Sequence, residues 1–189
     1  MFEIRKKEIE NPEGVHHTKL EDSLEPEFAK ALDETYNKYM NDSPESKITD
    51  AEKKQIKEET GWSDKIIDSA KSVEELNVYR NAELKEAVIE GKTCLIRDDI
   101  NFEQKDEFGR SNKERVNAKL SPLNENYETV ELHHIGQKQE NPLAELTTQE
   151  HRGKGSDTTL HDKRKESEIN RNEFAKERNR HWESRVRNL

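Results

Sequence analysis

Hydrophobic positions recur with helical spacing in the first part of the chain. Over residues 20–40, large apolar residues lie four positions apart, which predicts one face of an amphipathic helix. Three more helices are predicted after residues that can cap a helix N-terminus, namely Asp50, Ser63 and Ser72. Glu75 stands three residues after Ser72, which completes the pattern of a capping box. We therefore predict an acidic helical segment over residues 1–84, and it contains no chemical motif.

The pattern changes near residue 85, where strand-like runs begin. Two short apolar runs flank Gly91 in KEAVIEGKTCLIRD, which predicts a hairpin with its turn at that glycine. Ser111 is a candidate cap for a short helix. The run YETVELHHI then predicts a strand that carries Val130 and Leu132 on one face.

The end of the chain predicts two helices. Thr147 and Glu150 match a capping box, which predicts a short helix. Residues 161–187 predict a long helix with a sparse buried stripe formed by Ile169, Phe174 and Trp182. Together these elements predict a fold that is α+β and mostly helical, divided into residues 1–84 and a second domain over residues 85–189.

The composition limits how large a core this chain can build. It has 189 residues, of which 40% are charged and 29% are hydrophobic, and its mean hydropathy is −1.29. We therefore expect a small core and extended segments. No run of about 18 apolar residues is present and the first residues lack an apolar region, so we expect neither a membrane span nor a Sec signal peptide. The single cysteine, Cys94, is expected to be a buried apolar residue rather than a nucleophile.

Charge is distributed unevenly along the chain. Residues 151–189 contain 11 Lys and Arg against 7 Asp and Glu, a balance of +4. Since the whole chain carries −9, residues 1–150 carry −13. The basic end of the chain indicates a polyanionic partner. A solvated helix with surface ion pairs would account for the same charges without a partner.

Four of the seven histidines lie within one short stretch of the second domain. His133 and His134 are adjacent at the end of the predicted strand, where neighbouring side chains point to opposite faces. His151 falls in the first turn of the predicted short helix, and His161 follows ten residues later. Imidazole is a common ligand of Zn, Cu, Fe and Ni, so the group predicts a metal site. A single histidine in so polar a chain is usually a solvated surface residue, so the prediction depends on the four occurring together.

The strings ELHHIGQ, NPLAELT, EHRGKG and LHDK, in this order, resemble the LHH group of the HNH/endonuclease VII nuclease superfamily. The group takes its name from the triplet present here as Leu132, His133 and His134. The upstream run QKDEFGRSNKERVNAKLSPLNENYETV is also similar to the lead-in of these domains, so the resemblance covers about residues 93–182. It implies a ββα-metal finger (His-Me finger) nuclease core, in which a hairpin and a helix hold one divalent ion. Members commonly form the C-terminal toxic parts of bacterial polymorphic toxins, which cognate immunity proteins neutralise.

The resemblance also implies a role for individual residues. His133 corresponds to a metal ligand, and His134 corresponds to the base that activates the attacking water. His151 corresponds to the histidine of the finger helix, and His161 to a further ligand. Glu145 stands where many members have an asparagine. Two roles are open for Glu145: accepting the ring N–H of His134, or fixing the loop.

The implied reaction is hydrolysis of a phosphodiester bond. Neutral His134 would take a proton from water, since a pKa of about 6.5 leaves imidazole mostly neutral at pH 7. One cation would polarise the phosphate and stabilise the leaving oxygen. A three-histidine site favours Zn²⁺ or Ni²⁺ as the bound ion, whereas Mg²⁺ or Mn²⁺ stays open as the ion that supports turnover. Basic residues near the histidines are candidates for holding phosphates, namely Arg152, Lys154, Lys163, Arg164 and Lys165.

We therefore expect a metal-dependent DNA endonuclease, although the sequence does not distinguish DNA from RNA. As the toxic part of a larger toxin, it would be secreted or delivered into a target cell by a specialised system and act in the cytoplasm, and an immunity protein would bind it. Two alternatives stay open: a metal-stabilised module that binds nucleic acid or protein without catalysis, and a charged adaptor without a site. We also expect residues 85–189 to fold and cleave without residues 1–84. The alternative is that residues 63–82 pack on the finger and complete a core too small to fold alone.

Overall fold

A computed structural model describes residues 48–187 of the chain. The helix predicted over residues 20–40 lies outside the described residues. By its contacts the chain divides into Met1–Pro44 and Glu45–Leu189. The described residues of the second unit contain seven α-helices and one four-stranded sheet, which confirms the predicted α+β class. No helix among these residues is long and apolar enough to cross a membrane.

The helices and strands follow one another in a simple order. Three helices come first, α1 (Asp50–Thr60), α2 (Asp64–Ile67) and α3 (Val73–Asn81). They are followed by strands β1 (Lys85–Ile89) and β2 (Lys92–Ile96), and by helix α4 (Asn112–Asn117). Strand β3 (Val130–His134) leads through a 3-10 turn (Ile135–Gln137) to strand β4 (Leu143–Thr147). The last elements described are α5 (Thr148–Arg152), α6 (Ser156–Leu160) and α7 (Arg171–Arg187).

The four strands form one sheet in the order β1-β2-β4-β3. The pairs β1–β2 and β3–β4 are antiparallel, and β2 lies parallel to β4. Glu90 and Gly91 have φ values of 52° and 76°, which a tight hairpin turn of the primed type requires, so the turn predicted at Gly91 is confirmed. Cys94 in β2 is fully buried. Burial raises the pKa of its thiol to about 11, so Cys94 is a core residue and a poor nucleophile, as expected.

The sheet separates two hydrophobic cores. One core packs Leu95, Ala144 and Leu146 of the sheet against residues of α1, α2, α3 and α6, among them Ile56, Ile66, Leu76, Tyr79 and Leu160. The other core packs the opposite face of the sheet against α4 and α7, and includes Cys94, Val130, Leu132, Leu143, Val116 and Trp182. Val130 and Leu132 therefore share one face of β3, as the alternation along the strand predicts.

Capping residues explain where most helices begin. Ser72, Ser111 and Thr147 each accept the backbone N–H of the residue three positions later, as predicted. Ser63 precedes α2, but its hydroxyl donates to Glu86 instead. Helix α1 is capped one residue earlier than predicted, because Thr49 rather than Asp50 forms the complete capping box.

The long C-terminal helix begins later than predicted. The side-chain oxygen of Asn170 accepts the backbone N–H groups of Asn172 and Glu173, at 3.0 and 3.2 Å, so Asn170 caps α7. His161 accordingly follows the end of the short helix α6 instead of opening the long helix. Trp182 of α7 is buried as predicted, and Phe174 packs against the same core.

The helices before the sheet belong to the same compact unit as the sheet. This unit begins at Glu45, whereas the sequence placed a domain boundary between residues 84 and 85. The physical reason is the low hydrophobic content of the chain, since one face of a small sheet needs these helices to exclude water. A separate role for residues 1–84 stays a prediction.

Removal of residues 1–84 is expected to unfold the remaining chain, in contrast to the expectation from sequence. The truncation deletes seven buried side chains of the first core, namely Ile56, Trp62, Ile66, Ile67, Leu76, Tyr79 and Leu84. Because each large-to-small change in a core costs about 2–5 kcal/mol, their loss exceeds a typical total stability of about 5–15 kcal/mol. Circular dichroism melting of the 85–189 fragment measures this, with a 45–189 fragment as the control that should fold. A cooperative melt of the shorter fragment would contradict the prediction.

Candidate functional site

Three of the clustered histidines meet at one point. His133 lies on β3, His151 on α5, and His161 directly after α6. Nδ1 of His133 is 3.1 Å from Nε2 of His151, which in turn is 3.1 Å from Nε2 of His161. The three nitrogen atoms all lie within 4.8 Å of one another. The fold thus brings together the three residues that the sequence analysis named as ligands.

Local structure sets these positions. Strands β3 and β4 pair with His133 opposite Ala144, which places His133 near the end of the hairpin. Helix α5 begins directly after β4, because Thr147 and Glu150 form a complete capping box there. His151 is therefore held at a fixed distance from the strand pair that carries His133.

A carboxylate lies behind two of the three histidines. Oε2 of Glu131 is 2.6 Å from Nδ1 of His151, and Oδ1 of Asp157 is 3.0 Å from Nδ1 of His161. Because a carboxylate only accepts, each Nδ1 carries the ring proton and each Nε2 presents its lone pair to the centre of the cluster. This is the arrangement in which proteins orient histidine ligands toward a metal.

The ring of His133 is backed by helix α3. Its Nε2 atom is buried without a hydrogen-bond partner and lies 3.8 Å from Oε1 of Glu75. The fully buried Glu75 carboxylate accepts from the hydroxyl of Tyr79 at 2.6 Å and from the backbone N–H groups of Gly136 and Lys71 at 2.7 and 2.8 Å. Burial raises the pKa of Glu75, but its contacts with His133, Tyr79 and Gly136 outweigh burial and hold it below the ordinary value.

The residues fit a bound cation. With ring protons on the outer nitrogens, the Nε2 lone pairs of His151 and His161 face each other at 3.1 Å and repel unless a positive charge lies between them. Nitrogen atoms bound to one tetrahedral Zn²⁺ at about 2.0–2.1 Å lie roughly 3.3 Å apart, which is close to the observed separation. Burial lowers the pKa of His133 and lowers that of His151 to about 4, so both rings are neutral ligands at neutral pH.

His134 lies beside this cluster and faces the opposite side of β3. Its Nε2 atom is 2.8 Å from Oε2 of Glu177 on α7, and its ring packs against Phe174 with 4.8 Å between centroids. A pocket of about 190 Å³ is lined by His134 together with His133, His151 and His161. The residue predicted as the base therefore borders the same space as the three predicted ligands.

One of the two roles considered for Glu145 was to accept the ring N–H of His134. Glu145 does not make this contact. Its carboxylate is fully buried under α7 and accepts the backbone N–H of Arg97 at 2.9 Å. The other oxygen lies 2.7 Å from Nε2 of His181 and 3.1 Å from Nε of Arg185. Glu145 therefore ties α7 to the sheet, and the side chain that contacts His134 comes from α7 itself.

The five basic residues predicted to hold phosphates are not among the described residues that line the pocket. Arg152 pairs with Glu131 at 2.7 Å, and Lys163 pairs with Asp157. Arg164 and Lys165 both lie near Asp162, at 2.8 and 4.0 Å. Lys154 is exposed. Arg152 and Lys163 thus stabilise the carboxylates behind the histidines. The hydrogen bond from Lys163 lowers the pKa of Asp157.

Sequence reasoning missed the residues that surround the histidines. Glu131 and Asp157 stand two and four positions from a predicted ligand, so proximity in sequence was a usable signal. Glu177 lies 43 positions after His134, and nothing in the sequence links the two. Arg171 is the only Lys or Arg among the described residues that line the pocket, and it was not singled out either.

Comparison with known proteins agrees with the resemblance. Residues 111–188 match the LHH family model, described as a nuclease of the HNH/ENDO VII superfamily with conserved LHH. This range contains all four clustered histidines and confirms the recognition. A match to this superfamily indicates a hydrolase that acts on phosphodiester bonds of nucleic acid. No curated protein and no solved structure gives a significant match.

Replacement of His133 or His151 by alanine is expected to weaken Zn²⁺ binding by more than the roughly 10–100-fold that loss of an orienting partner costs. Zn²⁺ should raise the melting temperature of the wild type but not of either variant, because only the folded state binds the ion. Calorimetric titration and thermal melting measure both effects. His161→Ala should behave likewise. His134→Ala is the control that keeps its affinity, and equal affinity in wild type and His133→Ala would remove His133 from the ligand set.

Proposed function

We propose that this protein, whose residues 111–188 match an LHH nuclease, is a metal-dependent endonuclease that hydrolyses phosphodiester bonds of DNA. The observation that carries the proposal is the cluster of three imidazole nitrogens in a pocket that His134 also lines. Three protein ligands with a remaining open position are typical of catalytic zinc sites, whereas structural sites are closed by four. Within the described part of the chain the cluster has three members, which favours catalysis over a binding module without activity.

His133, His151 and His161 would hold the ion, and the three nearby carboxylates would keep their rings in place. Neutral nitrogen ligands favour Zn²⁺ or Ni²⁺, while Mg²⁺ and Mn²⁺ remain candidates for turnover. When bound, a divalent ion supplies positive charge that polarises the phosphate and stabilises the leaving oxygen. In this proposal β3, β4 and α5 form the ββα-metal finger that holds the ion.

His134 acts as the general base in this proposal. Its ring borders the pocket and is held between Phe174 and Glu177, so it stays in one orientation beside the ligands. A positioned base takes the proton of the attacking water as the oxygen–phosphorus bond forms. Glu145 has no catalytic part, because its oxygens are engaged by Arg97, His181 and Arg185.

Arg171 is the residue that we assign to the scissile phosphate. It is exposed at the start of α7 and lines the pocket with the four histidines. A guanidinium group binds phosphate oxygens through charged hydrogen bonds, often two at once. The basic residues outside the pocket, chiefly Lys154, would contact flanking phosphates instead.

A role in competition between bacteria follows from the resemblance alone. In this proposal the chain is the toxic C-terminal part of a longer toxin, secreted or delivered by a specialised system, and it acts in the cytoplasm of the target cell until a cognate immunity protein binds it. Growth arrest on cytoplasmic expression of the wild type, but not of His134→Ala, is the measurement that checks this role.

His134→Ala is expected to keep the fold and the metal but to lose cleavage by about 10²–10⁴-fold, the contribution of a positioned base. Relaxation of supercoiled plasmid is measured with Zn²⁺, Ni²⁺, Mg²⁺ and Mn²⁺ in turn, and with a chelator as the metal-free control. A parallel arm with RNA identifies the substrate. Wild-type protein that binds metal but cleaves neither substrate would support the binding module, and full cleavage by His134→Ala would exclude His134 as the base.

Arg171→Ala is expected to lower kcat/KM by roughly 10–100-fold, since one charged hydrogen bond is worth about 1.5–3 kcal/mol. Arg171→Lys should recover part of this loss because it restores the charge but not the planar fork. Arg180→Ala is the matched control, since Arg180 is an exposed arginine of the same helix outside the pocket lining. Equal losses in Arg171→Ala and Arg180→Ala would show that only the general charge of α7 matters.

A further inference from the structure

We propose that Glu177 is the positioning residue that sets the tautomer and the orientation of His134. The inference rests on the proposed role of His134 as the base, and it assigns to the C-terminal helix a part in the reaction. Glu177 lies within α7, and its Oε2 atom is 2.8 Å from Nε2 of His134. No other carboxylate contacts the His134 ring among the described residues.

The contact fixes which ring nitrogen carries the proton. A neutral imidazole donates from one nitrogen and accepts at the other, whereas an ionised carboxylate only accepts. Nε2 of His134 must therefore donate to Glu177, and Nδ1 is left with the lone pair. A base needs that lone pair, so Nδ1 is the atom that takes the proton of the attacking water.

The Glu177 carboxylate is itself held from a second side. Its Oε1 atom is 2.5 Å from Nζ of Lys92, which also donates to the backbone oxygen of Gln139 at 3.2 Å. Oε1 thus faces a cation, while Oε2 faces the imidazole and, at 3.5 Å, the side-chain amide of Gln139. Because the ion pair with Lys92 is mostly buried, with side-chain exposures of 23% and 17%, the carboxylate has little freedom to turn away from His134.

Helix α7 also contacts the His134 ring through Phe174. Phe174 and Glu177 are three residues apart, so they lie on the same face of the helix. The ring of Phe174 packs on the imidazole while Glu177 accepts a hydrogen bond from its Nε2–H, and together they exclude other rotamers of His134. One turn further along α7, His181 contacts the buried Glu145 of β4, and this contact fixes the position of α7 on the sheet.

The test compares one substitution at two positions of the same helix. Glu177→Gln keeps the size of the side chain, but an amide can either accept or donate, so it no longer selects one tautomer. Glu173→Gln is the matched control, because the Glu173 side chain is exposed and pairs with the exposed Lys176. We expect kcat for plasmid cleavage to fall by roughly 10–100-fold in Glu177→Gln, less than the about 10²–10⁴-fold expected for loss of the base itself, with KM and Zn²⁺ affinity unchanged. Glu173→Gln should match the wild type.

A double-mutant cycle separates positioning from a purely structural role. If Glu177 acts through His134, Glu177→Gln should have no further effect in the His134→Ala background. A structural role would lower the residual activity in both backgrounds equally. Equal losses, or wild-type kcat in Glu177→Gln, would overturn the proposal.

A readout without catalysis keeps the two proposals distinguishable. Nitrogen-15 NMR of the histidine rings in the Zn²⁺-loaded full chain should show His134 protonated at Nε2 in the wild type and a mixture of tautomers in Glu177→Gln. An Nδ1–H tautomer in the wild type would refute the positioning role whatever the activity. If the wild type cleaves no nucleic acid, the proposed function fails, and the ring spectra still decide whether Glu177 orients His134.

Discussion

The repulsion among three imidazole lone pairs is the constraint on which the rest of this structure depends. His133, His151 and His161 hold their inward nitrogens 3.1 Å from a neighbour, a separation that a shared cation stabilises. Keeping those lone pairs inward requires acceptors outside the cluster. Glu131 and Asp157 accept there, and the Glu75 carboxylate lies 3.8 Å from the outer nitrogen of His133. The three carboxylates come from different parts of the fold. The positions of β3, α5, α6 and α3 are therefore set relative to one centre.

Buried carboxylates connect the helices to the rest of the fold, where a protein with a larger apolar core would rely on apolar contacts. Glu75 joins α3 to the turn after β3, and Glu145 joins α7 to the sheet. A buried charge is tolerated only when it is fully hydrogen-bonded, and removal of one partner typically costs about 3–5 kcal/mol. In a chain with 29% hydrophobic residues, such contacts specify how the helices dock on the two faces of the sheet. The same contacts place Tyr79 and Phe174 against the histidines.

The end of β3 explains how two adjacent histidines border one pocket. On a continuing strand, His133 and His134 would lie on opposite faces and be separated by the sheet. Here the strand stops at His134 and turns at Gly136, whose φ is 67°. A β-carbon at Gly136 would lie 2.2 Å from the backbone oxygen of Ser69, so only glycine allows the turn to pack against this loop. The pocket then opens around the strand end and reaches both faces.

The sequence by itself determined what depends on neighbours along the chain. The sequence predicted the hairpin at Gly91, the cap at Ser111 and the capping box at Thr147 from local backbone preferences. It predicted strand β3 and its two histidines from a motif of contiguous residues. The tertiary structure decided what depends on packing between distant segments. It joined α1–α3 to the sheet and began α7 at Arg171. It also brought Glu145 into contact with His181, and Glu177 into contact with His134. Those contacts span tens of residues, and only burial against a shared core brings their side chains together.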